Sequence, residues 1–266
     1  LFNMSIHTLP DDCLSLAISF TSPLDACRSS AACTGFREAA DSDATWEKFL
    51  PSDYKEIISR TDRPVAFSSK KELFLELSSA PLIIDGGTKS FMIDKKTGKK
   101  CYMLSPKELS ISWSCVPQCW CWKPLLNSRF PIGVELIVVS WLQIKGRINT
   151  TLLSPNTAYG VYLVFQLSHR TFGFEHLPAE AEIQAGDDFH SQRSIPLGKN
   201  GSKGKGDAAE AAPSQQCLRD DGWTEVEMGE FYTNTKEMEV TMEFRETKGM
   251  QLKGGLILEG IEIRPK

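Results

Sequence analysis

The segment Glu237-Met-Glu-Val-Thr-Met-Glu-Phe244 alternates polar or acidic side chains with apolar ones. Successive side chains of a β-strand point to opposite faces, so this period of two predicts a strand with one buried and one wet side. Residues 91–93 and 101–104 flank a Lys-Lys-Thr-Gly-Lys turn that is typical of a hairpin. Further segments rich in β-branched and aromatic residues are 134–144, 159–167 and 256–263. This many strands with little helix predict a β-sandwich.

The first 51 residues follow a different pattern. Apolar residues recur at helical spacing from Leu14 to Phe20, Ser22 with Pro23 predicts the start of a second helix, and Pro51 ends the last one. We therefore predict an α+β protein with a small helical module over residues 1–51, which is too small to enclose a large core. The other predicted parts are a connector with one short helix over residues 52–87 and a β domain over residues 88–266, with a flexible loop near 186–216.

Composition narrows the function classes. A net charge of −4 argues against nucleic acid as the main partner, because phosphate neutralisation needs a basic surface. No apolar run is long enough for a membrane span, and no signal peptide is recognised, so we expect cytoplasm and/or nucleus and reduced cysteines. Cys115-x3-Cys119-x-Cys121 lacks a second pair of ligands at matching spacing, so we expect neither a metal nor a cofactor.

Three of the six tryptophans lie within ten residues of each other: Trp113, Trp120 and Trp122. Such a cluster forms either a dense core or a face on which a ligand stacks, and its neighbours here are polar. Glu239 and Glu246 are either solvated acids of a strand or a pair of glycosidase carboxylates. Sugars present an apolar C–H face to tryptophan and hydroxyls to carboxylates, so a non-catalytic carbohydrate site accounts for both sets of residues.

Several motifs match known families in sequence order. Leu9-Pro-Asp-Asp-Cys-Leu14 and Asp43-x-x-Trp-Glu-Lys-Phe-Leu-Pro51 resemble a plant F-box. Leu109-Ser-Ile-Ser-Trp113, Pro117-Gln-x-Trp-x-Trp-Lys123 and Arg219-Asp-Asp-Gly-Trp-x-Glu-Val-Glu-Met-Gly-Glu-Phe231 resemble the phloem-lectin (Nictaba-related) family. The chain is thus identified as a member of the F-box branch of that family.

The resemblance implies a jelly-roll lectin domain that binds N-acetylglucosamine oligomers or N-glycan cores. It also implies an F-box that docks on a Skp-type adaptor of a cullin (SCF-type) ubiquitin ligase, so the chain would be a substrate-recognition subunit and not an enzyme. The carbohydrate-binding residues that it implies are Trp113, Trp120, Glu239 and Glu246. The candidate residues for adaptor binding are Leu9, Pro10, Leu14, Ile18, Trp46, Phe49 and Leu50, some of which hold the helices together.

Two departures from the family pattern matter. Cys119 stands where relatives often carry an aromatic residue, and the lysine cluster of a nuclear signal is diluted to Lys199, Lys203 and Lys205. An alternative function is therefore an F-box adaptor that reads a protein surface and has a degenerate sugar site. Glycosidase activity is the weaker alternative. We expect the remaining tryptophans of the β domain, namely Trp122, Trp141 and Trp223, to lie in its core.

Overall fold

The computed structural model describes residues 10–187, 189–197 and 216–266. These residues form two compact units. The first unit contains residues 10–86 and 91–101, and the second contains residues 87–90 together with the described residues from 102 onward.

The first unit is helical over most of its length. Its described helices are α1 (Asp11–Ser19), α2 (Pro23–Ser29), α3 (Thr34–Asp41), α4 (Asp43–Phe49), α5 (Tyr54–Ser59) and α6 (Lys70–Ser79). Serine caps three of them, and the Ser22 hydroxyl, for example, accepts the N–H of Asp25 at 3.1 Å. The sequence predicts one short helix between residues 52 and 87, but the structure has two, α5 and α6.

Aromatic side chains form the core of the helical unit. The ring of Trp46 lies 5.5 Å from that of Phe49 and 5.1 Å from that of Phe74, measured between centroids. The Trp46 indole N–H donates to the carbonyl of Ala40 at 2.6 Å. Because Phe74 belongs to α6, the segment predicted as a connector contributes directly to this core.

The second unit is a β-sandwich. The strands of the described chain are β1 (Leu82–Ile84), β2 (Lys89–Ile93), β3 (Lys100–Leu104), β4 (Ser110–Ile111), β5 (Trp120–Lys123), β6 (Gly133–Leu136), β7 (Leu142–Asn149), β8 (Thr157–Phe172), β9 (Ala179–Ala185), β10 (Phe189–Ile195), β11 (Cys217–Leu218), β12 (Thr224–Thr233), β13 (Glu239–Glu246) and β14 (Gly254–Pro265). In this unit one sheet has the order β3-β14-β8-β12-β11, and β6 joins β14 to β5. The other, the five-stranded sheet, has the order β10-β9-β13-β7-β4. The predicted α+β fold class is confirmed.

Alternating side chains build the core between the sheets. Val240, Met242 and Phe244 of β13 are fully buried, as the period of two predicts. A Cβ atom at Gly229 of β12 would lie 2.7 Å from Ile183 Cγ1 of β9, so the absence of a side chain allows close approach of the two sheets.

A buried ionic cluster fixes the C-terminal strand. The Glu262 carboxylate accepts hydrogen bonds from Arg129 at 3.1 Å, Arg219 at 2.5 Å and Arg264 at 3.0 Å. Burial alone would raise the pKa of Glu262, but the three guanidinium groups hold it below its usual value. The cluster stays charged and ties β14 to two loops.

The prediction of a flexible loop near 186–216 is wrong for its first part. Residues 189–195 form β10, which pairs with β9 from Phe189↔Ala185 to Ile195↔Ala179. Most side chains of this edge strand are polar, so it lacks the apolar alternation that reveals an inner strand. The segment 134–144 also divides into two strands, β6 and β7. Lys199, Lys203 and Lys205 lie outside the described residues.

Candidate carbohydrate-binding site

Trp113 is presented to solvent by a tightly held turn that follows β4. Its side chain is 54% exposed, and its backbone adopts a left-handed conformation with φ of 65°. The indole N–H of Trp120 donates to the carbonyl of Ser112 at 2.9 Å, and that of Trp122 donates to the carbonyl of Ser114 at 2.8 Å. Two tryptophans therefore fix the residues on either side of the third.

Backbone hydrogen bonds close the same turn. Ser114 N–H donates to Ile111 O at 3.2 Å, and Val116 N–H donates to Trp113 O at 2.9 Å. A left-handed conformation at a non-glycine residue costs on the order of 1–3 kcal/mol and persists where the surroundings enforce it. The backbone that carries the exposed indole of Trp113 is therefore held in place, which lowers the backbone entropy lost when a ligand stacks on it.

Trp120 has a different place from the one predicted. It is 2% exposed, and it lies in β5 opposite Leu136 of β6. A ring so deeply buried has no free face for a sugar. Its observed contact is the hydrogen bond to Ser112, so Trp120 positions Trp113.

Glu246 is also buried, at 4% exposure. The Lys253 ammonium contacts its carboxylate, and the Gly249 N–H donates to its Oε1 at 2.8 Å. Lys253 in turn donates to the carbonyls of Ser140 at 2.5 Å and Gln251 at 3.0 Å, and burial lowers the pKa of this lysine. The pair thus anchors residues 247–252.

Glu239 lies at the opposite end of β13 from Glu246. Seven residues of strand separate them by about 23 Å, and the odd spacing points them to opposite faces of the sheet. Glu239 is exposed and lies 4.0 Å from Arg147. The paired carboxyl groups of a glycosidase are at most about 10 Å apart, so this geometry does not suit catalysis by these two glutamates.

A row of polar side chains crosses the five-stranded sheet at the end where Trp113 lies. Ser112 N–H donates to Gln143 O at 3.0 Å, and the strand registers then align Gln143 with Arg245, Arg245 with Glu180, and Glu180 with Ser194. The side chains of Gln143, Arg245 and Glu180 point away from the core, because both strand neighbours of each are buried. Ser194 is exposed, and the Ser112 hydroxyl contacts the side chain of Gln143. We call this set the polar row.

Hydrogen bonds connect the polar row internally. Ser112 Oγ donates to Gln143 Oε1 at 3.2 Å, Gln143 Nε2 donates to Glu243 at 2.6 Å, and Arg245 donates to Glu180 at 3.3 Å. Hydrogen bonds from Lys248 and Arg245 hold the pKa of Glu180 below its usual value, against the effect of burial. The row is therefore a fixed array of donors and acceptors at pH 7.

The other tryptophans of the β domain divide into two groups. Trp223 is buried and donates to the carbonyl of Asn127 at 3.0 Å, which confirms its predicted place in the core. Trp122 and Trp141 are 37% and 52% exposed, so their assignment to the core is wrong. Trp141 precedes β7 by one residue and is two residues from Gln143, so the alternation of the strand places both on the same face. This spacing could have predicted that Trp141 is exposed.

Most of the residues predicted to bind the adaptor are not the apolar residues that the helical unit exposes. Of the predicted adaptor-binding residues, Leu9 lies outside the described residues and Pro10 is exposed. Those that are buried are Leu14, Ile18, Trp46, Phe49 and Leu50. The exposed large apolar side chains here are Leu16 of α1, Phe20 at its C-cap and Leu24 of α2, at 53%, 83% and 44%. The sequence does not indicate which of these apolar residues are exposed, because α1 has apolar residues on both sides.

The cysteines of the tryptophan segment do not converge on a metal site. Cys115, Cys119 and Cys121 are free thiols, and across the described residues no group of three His, Cys, Asp or Glu side chains could hold a metal ion. The carbonyl of Cys119 accepts the N–H of Ile137 at 2.8 Å. Along the same described residues, no helix has the length and apolar character needed to cross a bilayer.

The described chain thus has a helical unit with exposed leucine and phenylalanine and a β-sandwich unit with an exposed tryptophan. Family comparison matches residues 6–48 to the F-box domain and residues 99–265 to phloem protein 2. The chain belongs to the family of F-box proteins that carry a phloem protein 2 domain. This combination is that of an F-box substrate-recognition protein of SCF ligases, an adaptor rather than a catalytic enzyme.

Full-length relatives have the same organisation. The chain is 43% identical to the Arabidopsis thaliana F-box protein PP2-B15, over 97% of this chain and 96% of that one. It is 41% identical to the Arabidopsis thaliana F-box protein PP2-B10, over 97% and 93%. Among solved structures, a Podospora anserina GH26-CBM35 β-(1,4)-mannanase gives a TM-score of 0.34 at 9% identity, covering 62% of this chain and 28% of that one. A likeness this weak carries no argument.

Proposed function

We propose that this chain is a non-catalytic substrate receptor of a cullin (SCF-type) ubiquitin ligase that binds carbohydrate on glycoproteins. The observation that carries the proposal is Trp113, an exposed indole held by hydrogen bonds at both neighbouring residues. Ligands with which this site is compatible are N-acetylglucosamine oligomers and N-glycan cores. Such a receptor would act in the cytoplasm and/or nucleus by raising the effective concentration of a glycoprotein near the ligase.

The chemistry of the site supports a sugar ligand. The C–H face of a pyranose ring stacks on an indole, and its hydroxyl groups both donate and accept hydrogen bonds. The polar row next to Trp113 offers an amide at Gln143 and a guanidinium at Arg245, and the carboxylate of Glu243 contacts both. Trp120 and Glu246 are buried, so they support the backbone around Trp113 and do not contact a sugar unit that stacks on its indole. Glu239 lies too far away to join it.

A titration tests the carbohydrate site. Purified full-length chain is titrated with N-acetylglucosamine oligomers and high-mannose glycans while tryptophan fluorescence is followed, with Trp113→Ala alongside. We expect saturable binding, in the micromolar to millimolar range that is typical of a few neutral contacts, to fall by about tenfold or more in the variant. Tyr232→Ala is the control, because Tyr232 is 57% exposed on the other sheet. Equal affinity of Trp113→Ala and the unchanged protein would refute the assignment.

A second candidate function rests on an apolar surface near the same sheet end. Ile137, Trp141 and Leu252 are 43%, 52% and 57% exposed, and the Val139–Lys253 bridge brings their two segments together. Exposed apolar residues that are clustered this way suit a protein partner. If the folded chain binds no glycan, an F-box adaptor that reads a protein surface becomes the preferred function.

Adaptor docking is proposed to use Pro10, Leu16, Phe20 and Leu24. Leu16 lies on α1 and Phe20 is its C-cap, which still has a right-handed helical conformation, so the two residues, four apart, share one side of the helix. Replacing Phe20 by Glu should reduce capture of a Skp-type adaptor by about tenfold or more, because a charge would enter an apolar interface. Leu126→Glu, at a residue 91% exposed in the β domain, is the control. Unchanged capture by Phe20→Glu would exclude this face.

A further inference from the structure

A cavity of about 530 Å³ opens at the far side of the polar row from Trp113. It lies where β9, β10 and β13 meet at one end of the five-stranded sheet. The residues that line it and bear on its chemistry are Leu177, Pro178, Glu180, Ser194, Arg245 and Lys248. Arg245, Glu180 and Ser194 are themselves the last three members of the polar row.

We propose that this cavity is a second carbohydrate subsite, which takes a sugar unit of the same neutral oligosaccharide that stacks on Trp113. The inference rests on the proposed function and extends it from a single stacking contact to a site that crosses the whole sheet. Its distal end includes Glu246, which the family resemblance implies as a carbohydrate-binding residue, together with other lining residues that the resemblance does not assign.

The strand registers show that the polar row extends from Trp113 to the cavity. The row begins at Ser112, directly after β4, and then has one residue on each of β7, β13, β9 and β10, so it spans four strand spacings, or about 19 Å. Trp113 follows Ser112 at one end, and the cavity surrounds Ser194 at the other. Among the described residues, those of the row that lie between the two ends are Gln143, Arg245 and Glu180, which carry hydrogen-bonding groups. A single extended oligosaccharide can therefore contact both ends without crossing an apolar ridge.

The charges of the cavity favour a neutral ligand. Arg245 pairs with Glu182 at 2.6 Å, Glu180 at 3.3 Å and Glu243 at 3.4 Å. The Lys248 ammonium contacts Glu180, and Arg193 pairs with Glu227 at 2.6 Å. Because each cation already has a carboxylate partner, an anionic group would have to compete with these ion pairs. A hydroxyl can instead donate to the carboxylates and accept from the guanidinium.

The shape of the cavity fits one face of a sugar ring. Its volume lies within the range of about 300–1,000 Å³ that small-molecule sites occupy. Leu177 and Pro178 form an apolar part of the wall, whereas Gln192, Ser194 and Thr247 add polar groups. An apolar wall that faces C–H groups, with polar groups at the rim, is the arrangement that a pyranose ring requires.

A buried ion pair supports the wall on the β13 side. Thr247 and Lys248 follow Glu246 directly, and Glu246 is anchored by Lys253 and by the Gly249 N–H. The wall is thus held in place before a ligand arrives, so little ordering entropy is lost on binding.

The test compares glycans of increasing length. Calorimetric titrations with N-acetylglucosamine and its dimer, trimer and tetramer use the full-length chain, Ser194→Trp and Gln192→Ala. Ser194 and Gln192 are exposed on an edge strand, so the first change fills the cavity and the second removes a rim amide. Ala158→Trp, which adds the same ring at an exposed position of the other sheet, is the matched control.

We expect affinity of the unchanged chain to rise with glycan length. Ser194→Trp should lower the affinity for the tetramer by about tenfold and leave that for the monosaccharide within about twofold, whereas Ala158→Trp changes neither. Gln192→Ala should lower the tetramer affinity by a smaller factor. Affinity that is independent of length, or a tetramer affinity that neither variant changes, would overturn the second subsite and leave the proposed function intact. Absence of binding to every glycan would overturn both.

Discussion

The two ends of the five-stranded sheet carry the same kinds of residue and hold them differently. At the end where Trp113 lies, which we call the tryptophan end, Glu246 is buried against Lys253 and Arg245 bridges three carboxylates. At the other end, which we call the Glu239 end, Glu239 is exposed and its nearest cation, on Arg147, lies 4.0 Å away. One end is a fixed array of charges, and the other is an ordinary solvated surface.

Strand parity explains the difference between the two glutamates. In β13 the even-numbered residues from Val240 to Glu246 are buried and the odd-numbered ones face outward. Glu246 is therefore buried because of its position in this alternation. Its charge is retained because Lys253 is buried beside it. A charge on the inner face of a sheet interacts with the backbone around it, whereas a charge on the outer face interacts with solvent or with a ligand.

The largest expected effect is the loss of the buried charge at the tryptophan end. Glu246→Ala leaves the Lys253 ammonium buried and unpaired, so the free energy of unfolding should fall by about 3–5 kcal/mol. Glu239→Ala, on the same strand, should change it by less than about 0.5 kcal/mol, because an exposed pair at this distance contributes little. Urea unfolding at pH 7 measures both variants.

A double substitution sharpens this result. Glu246→Ala with Lys253→Met removes both charges, so it should recover a large part of the loss. Equal stability of Glu246→Ala and Glu239→Ala would show that Glu246 is solvated in solution, and the contrast between the two ends would then be wrong.

A smaller effect is expected from the support beneath Trp113. Trp120→Phe keeps most of the buried ring but removes the N–H that donates to Ser112 O at 2.9 Å. An unsatisfied carbonyl and a lost packing volume should together cost about 1–3 kcal/mol of unfolding free energy. Glycan affinity should also fall, because the turn that holds Trp113 loosens. Trp122→Phe makes the same change at a half-exposed ring and should cost less. An equal loss in both variants would contradict the assigned role of burial.

The comparison also indicates what the sequence could predict. The alternation around Val240, Met242 and Phe244 identified β13 and its inner face correctly, because burial of one face imposes a period of two. The same period places Glu239 and Glu246 on opposite faces, a consequence that the family motif obscures. The strand β10 was missed because an edge strand with polar side chains has no apolar alternation.

The site itself was only partly predictable. The tryptophan cluster left a core and a ligand face open, and it did not indicate that Trp120 is buried whereas Trp113 is exposed. That distinction depends on the left-handed conformation at Trp113, which is unusual for a tryptophan, and on the pairing of Trp120 with β6, which is non-local. The polar row requires the registers of four strand pairs, which no local pattern encodes.

The smallest expected effect is a pH dependence that is confined to the tryptophan end. Hydrogen bonds from Lys248 and Arg245 lower the pKa of Glu180 below its usual 4.5. Since the folded pKa lies below the unfolded one, the stabilisation is fully present above pH 4.5 and is lost as the pH falls through the folded pKa. Glu180→Gln should therefore lose less unfolding free energy than the unchanged chain between pH 6 and pH 3.

The difference should be about 1 kcal/mol or less, because the Lys248 side chain is 74% exposed and salt screens it. Thermal unfolding at several pH values and at low and high salt measures the difference, with Glu239→Gln as the matched change at the other end. If Glu239→Gln altered the pH dependence as much as Glu180→Gln, the fixed charges of the tryptophan end would have no separate energetic role.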